Sequence, residues 1–234
     1  MNHDLTDPHR EPPRVSRLVV AAHAGDEVVG CGGLLAKHHD DVAVVILVDP
    51  DQRRREQLRT ARRMLGAPAV TFLGLPDESL ADHVEQIVPA LAALIARVRP
   101  AELYLPYPAL HHDHVVAYEA GLRATRPPVT REAWPPVSVL VYDVGAVDVT
   151  DYPADIRWSV GESLLEGDID RKVAAAVAYR SPFAQSLKQR AHGIGSARGL
   201  PWAEQFALVR TPPRAHRPVA TDPAAVPAMA GVDR

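Results

Sequence analysis

Two short polar knots carry most of the chemistry this sequence offers. Ala22-His23-Ala24-Gly25-Asp26-Glu27 follows an apolar run, Leu18 to Ala22, and precedes the glycine-rich Gly30-Cys31-Gly32-Gly33. Far downstream, His111-His112-Asp113-His114 follows a second apolar run, Leu103 to Tyr107. Imidazoles and carboxylates at strand ends are the donors that a hydrolytic metal site needs, since catalytic zinc takes three such protein ligands and keeps one position for water. His23 and Asp26, three apart across a turn, and His114 from an adjacent strand's end form one such set. A His-Asp-Glu turn by itself also serves as a solvated cap; a second knot at another strand end argues for a site between them.

The elements that must hold these knots are legible in order. Leu18 to Ala22 reads as a first strand, Val28 to Lys37 as a helix packed closely on a sheet, and Ala43 to Val48 as a central strand buried on both faces. A helix over Arg53 to Leu65 stops at Gly66, a third strand covers Val70 to Leu75, and a periodic helix runs from Asp82 to Val98. Leu103 to Leu105 is a fourth strand, followed by a helix from His114 to Ala124. Strand and helix alternate, so an α/β fold with a mostly parallel sheet is expected, with both knots on its carboxyl rim. Beyond a proline-rich loop, Arg126 to Pro136, come a strand from Val137 to Val144, a proposed partner strand from Ile156 to Val160 and a helix from Asp168 to Tyr179. Gly193 to Gly199 reads as a loop, and Phe206 to Val209 as a last short strand. Residues 1–16 are expected to be a loose leader, 17–210 the folded domain, and 211–234 a disordered tail rich in proline and alanine.

The 234 residues suit one α/β domain, and a net charge of -3 without a sustained basic face argues against nucleic-acid or anionic-membrane partners. With one cysteine, Cys31, an internal disulfide is excluded, and a small packed thiol is the plainest reading. The polar start and the lack of a long apolar stretch make a cytoplasmic protein the default expectation. His38 and His39 read as helix-end cations; Trp134, Trp158 and Trp202 suit either core or sugar stacking.

The ordered motifs resemble those of the PIG-L (LmbE-like) zinc N-deacetylases. They are Ala22-His23-x-x-Asp26-Glu27, Gly30-Cys31-Gly32-Gly33, Arg53-x-x-Glu56, Leu73-Gly74-Leu75-Pro76-Asp77 and His111-x-Asp113-His114. Lys172, Tyr179-x-Ser181, Arg198-Gly199 and Ala203-Glu204-Gln205-Phe206 are similar to that family's closing segment. The resemblance implies a Rossmann-like three-layer fold and removal of an acyl group from a small N-acylated amino sugar or glycoside. It also implies zinc, or another divalent metal, on His23, Asp26 and His114. His111 matches the family's oxyanion-stabilising histidine, Asp113 its neighbour that orients a ligand, and Arg53 a substrate-contacting arginine that reads equally as a solvated charge. A homo-oligomer is left open.

One departure bears on the chemistry. The family writes His-Pro-Asp-Asp-Glu where this chain has His23-Ala24-Gly25-Asp26-Glu27, so the aspartate that serves as general base is replaced by Gly25. A positioned base contributes about 10²–10⁴ in rate. Asp49, Asp51 and Glu27 are candidates for a relocated base, with Asp51 also readable as a helix N-cap. The alternative is a metal-binding relative that lacks deacetylase activity and binds a ligand or serves another metal-dependent reaction.

Overall fold

The computed structural model describes residues 14–108, 111–126, 137–144 and 157–211. The sheet begins with β1 (Arg17–Ala21) and β2 (Val42–Val48), joined by helix α1 (Asp26–Lys37). Then come α2 (Gln52–Met64), β3 (Ala69–Leu75), α3 (Val84–Val98), β4 (Glu102–Pro106) and α4 (His112–Ala124). The chain continues through β5 (Ser138–Tyr142), β6 (Val160–Ser163), α5 (Glu166–Ala178), α6 (Ala184–Ser196) and β7 (Ala203–Arg210). The order is β3-β2-β1-β4-β5-β7-β6, parallel through the first five strands, with β7 antiparallel to both neighbours. The expected α/β architecture is therefore observed.

Period-two alternation divides the core. Leu18 and Val20 of β1, with Ala43, Val45 and Leu47 of β2, face the layer that contains α3 and α4. Val19, Ala21, Val44 and Ile46 face the opposite layer, where α1, α2 and α5 pack. Both faces being covered, every residue of β2 is buried, which is why its sequence is uninterruptedly apolar. Gly30 lets α1 lie against the sheet: a Cβ there would overlap the Tyr142 ring, whose hydroxyl donates to the Val20 carbonyl.

Three expectations change. Gly193 and Gly195 lie within α6, whose Ala184, Leu187, Ala191 and Gly195 form its buried face; a side chain on Gly195 would press on the backbone of Leu200 and Trp202. Glycine here permits close packing rather than ending the helix. The strand near Val160 pairs with β7, not β5, because β7 inserts between them. The helix expected from Asp82 opens as a 3-10 turn, Leu80–His83, and becomes α-helical at Val84. The expected leader and tail, the proline-rich loop beyond Arg126, Trp134 and Ile156 lie outside the described residues, apart from the leader's last few positions, of which Val15 is buried.

Candidate metal centre

The order β2-β1-β4 puts a topological switch point between β1 and β4, where the connections diverge to opposite sides and leave a crevice at the carboxyl rim. Each polar knot sits at one lip of it. His23 and Asp26 follow β1; His111 caps α4, its Nδ1 accepting the Asp113 N–H at 3.2 Å, and Asp113 and His114 fill the first turn.

His23, Asp26 and His114 each offer one donor atom within 4.8 Å of the others. Asp26 Oδ2 lies 3.1 Å from His114 Nε2 and 3.7 Å from His23 Nδ1, and it accepts the His23 backbone N–H at 2.9 Å. His111 stands against the same group, its ring centroid 4.7 Å from that of His23. Asp113 is fully buried and binds on three sides: His23 Nε2 at 3.1 Å, the Glu78 N–H at 3.2 Å and the Leu80 N–H at 3.3 Å. It therefore ties the turn after β3 to the imidazole ring that follows β1.

The electrostatics of this group call for a cation. Asp26, Asp77 and Asp113 all touch His23, and none pairs with a lysine or arginine among the described residues. Burial alone would lower the His23 pKa, but hydrogen bonding and charge from Asp26, together with Asp77 and Asp113, raise it to about 9. Asp26 is driven below the usual carboxylate range: its burial opposes this, and the two histidines outweigh it. A divalent ion would neutralise the same carboxylates and displace the His23 proton. Two imidazoles and one carboxylate are a fitting donor set for zinc, and the buried His114 Nδ1 has no hydrogen-bond partner among the described residues.

Beside the centre opens a cleft of about 420 Å³, lined in part by His23, His111, Asp51, Arg54, Asp77 and Glu78. Asp51 caps α2, its Oδ1 accepting the Arg54 N–H at 2.6 Å, and presents an exposed carboxylate to the cleft. Asp49 is paired with Arg55. Arg53 is exposed on the first turn of α2, and the arginine that lines the cleft is its neighbour Arg54, whose guanidinium lies 5.6 Å above the Tyr179 ring centroid. Sequence reasoning does not single out Asp77 and Glu78 as site residues; their signal is the Pro76-Asp77-Glu78 turn directly after a strand. Trp158 and Trp202 do not line the cleft.

Gly25 adopts φ 120°, a conformation side chains rarely tolerate, although the nearest atoms to a Cβ there are Tyr179 ring carbons at 3.9 Å. The obstacle to an aspartate at this position is thus the backbone, not space. Glu27 is buried, and both its oxygens are engaged: Oε2 by the Gly25 N–H at 2.6 Å and Oε1 by the Tyr179 hydroxyl at 2.8 Å. Burial raises its pKa to about 7 against the pull of those bonds.

Comparison with known proteins agrees with this architecture. Residues 18–125 match the family described as PIG-L, GlcNAc-PI de-N-acetylase. A conserved protein from Thermus thermophilus is similar over 84% of this chain and 95% of its own, with 27% identity and a TM-score of 0.68. The N,N'-diacetylchitobiose deacetylase of Pyrococcus horikoshii aligns over 82% of each chain, with 17% identity and a TM-score of 0.64. A 4-carboxy-2-hydroxymuconate hydratase from Pseudomonas putida aligns over 88% of this chain and all of its own, with 19% identity and a TM-score of 0.65. A search of curated proteins by sequence finds no match. The segment that matches the PIG-L family model contains both polar knots.

Proposed function

We infer that the protein is a metal-dependent amide hydrolase that removes an acyl group from an N-acylated amino sugar, glycoside or related small molecule. The observation that carries this reading is the convergence of His23, Asp26 and His114 at the switch point, inside the segment that matches a deacetylase family. When bound by these three residues, zinc or another divalent ion supplies a Lewis acid at the cleft. The chain's own groups then have distinct tasks. Because His111 Nδ1 accepts a backbone N–H, its ring proton resides on Nε2, and His111 donates to the acyl oxygen as negative charge grows there. Asp113 fixes the ring of His23. Arg54, or Arg53 beside it, contacts the substrate from the α2 side. With Glu27 held by two internal donors, Asp51 is the carboxylate we assign as proton acceptor in place of the side chain missing at Gly25.

The expected result is release of acetate from N-acetylated amino sugars that stops on treatment with a chelator and returns with zinc. Failure to bind divalent metal, even when zinc is offered, would overturn the reading.

A second reading is supported by Gly25: a metal centre without the usual base serves another reaction, and the hydratase with this fold is a precedent for the scaffold only. Gly25→Asp separates the two. It is expected to destabilise the protein by about 1–3 kcal/mol in denaturant unfolding, because aspartate must enter a glycine conformation. If acetate release nevertheless rose by about 10²-fold or more, the gain typical of a restored base, while wild type stayed silent, the second reading would stand.

A further inference from the structure

We propose that Glu78 sets the charge preference of the cleft, favouring substrates that carry a free ammonium group besides the acylated nitrogen. The proposal rests on the hydrolase reading of the same cleft and adds the class of substrate.

Glu78 has φ 56°, a left-handed backbone that glycine adopts without penalty and glutamate does not. The conformation is held by a shared N–H: that of Glu78 donates to Asp77 Oδ1 at 3.0 Å and to Asp113 Oδ2 at 3.2 Å, and both carboxylates also contact His23. The side chain's origin is therefore fixed relative to the candidate ligands while its carboxylate stands exposed on the cleft wall. The other carboxylates of that wall have partners. Asp49 pairs with Arg55, Asp51 caps α2 and Asp77 contacts His23, whereas the Glu78 carboxylate has none among the described residues. Among the described residues lining the cleft, Arg54 is the single lysine or arginine, and its guanidinium lies over Tyr179 and donates to Gln57 at 3.3 Å. Negative charge thus exceeds positive along the walls, and a cleft lined by one sign of charge concentrates ligands of the other. Among the described residues, no tryptophan, tyrosine or phenylalanine lines it to offer a sugar a stacking face. Recognition falls to polar and ionic contacts, and a partly acylated oligoamine, such as an amino-sugar oligomer with one nitrogen still free, fits these walls.

The test uses the zinc-loaded full chain and calorimetric titration with two probes, a glucosamine disaccharide with free amines and the same disaccharide fully N-acetylated. At low ionic strength the free amine is expected to bind about fivefold more tightly, the size of one partly exposed charge contact, and high salt should erase the difference. Glu78→Gln should lose the preference. Glu78→Gly should lose it too while its melting temperature stays at or above that of wild type, since glycine relaxes the backbone; that separates lost charge from lost fold. Equal binding of the probes by wild type, no binding of either, or a preference that survives both variants would overturn the proposal. Acetate release is read in the same samples. A charge preference without release in any sample would count against the hydrolase reading alone.

Discussion

Replacing His114 with alanine is expected to leave protein purified without added metal nearly free of divalent ion, where wild type carries close to one per chain. The loss should exceed the roughly 10–100-fold weakening typical when only an outer partner of a metal ligand is removed. His114 stands 3.1 Å from Asp26 with most of its ring buried, so alanine leaves a gap beside a half-buried carboxylate rather than a place for a substitute donor. Metal analysis and acetate release are read on the same preparations, with circular dichroism to verify that the variant is folded. A folded His114→Ala protein that keeps its metal would remove this residue from the ligand set.

The second large effect lies away from the cleft. Lys172 Nζ meets Glu204 Oε1 at 2.6 Å, with side chains only 6% and 4% exposed. Glu204 also accepts the N–H groups of Gly33 and Leu34, each at 2.8 Å. Lys172→Met keeps the volume but strands a buried carboxylate, and a loss of about 3–5 kcal/mol is expected, a large share of the roughly 5–15 kcal/mol that holds a domain together. Pairing it with Glu204→Gln should recover part of that loss, because the amide needs no counter-charge and can still accept one of the two N–H groups. Denaturant unfolding of the four proteins of this double-mutant cycle measures the coupling. A single Lys172→Met variant as stable as wild type would show that the ion pair contributes nothing.

The fold is legible in the sequence where one physical signal dominates. Uninterrupted apolar runs mark β1 and β2, and Gly66, with φ 88°, follows α2 where the C-terminal signal lies. It is least legible where glycine has two uses. Gly193 and Gly195 give the composition of a loop, yet both lie within α6, where Gly195 fits against the backbone of Leu200 and Trp202. The contents of the two knots can be read, and the alternation of strand and helix puts both on one rim; the order that makes β1 and β4 neighbours is set by packing over the whole sheet. Spacing places an arginine-rich helix start near the rim. Which arginine turns toward the cleft depends on a rotation of about 100° per residue, so Arg53 and Arg54 cannot be told apart before the helix is oriented. Asp77 and Glu78 are hidden for the same reason: nothing local says that the turn after β3 reaches across to Asp113.

Strand β7 is the last described element, yet it lies inside the sheet, flanked by β5 and β6, and its Glu204 reaches back to two amides of α1. During synthesis α1 emerges long before the carboxylate that completes its bonding. A nascent chain ending near residue 125, where the family match stops, would expose the flank of the sheet and leave those amides without Glu204. Both knots of the candidate centre exist by then, but α5, which packs in the layer of α1, and β7 do not. Competence for metal capture should therefore come late in translation, when β7 has left the ribosome, and a chain stalled before that point would hold the ligands without the frame that aligns them.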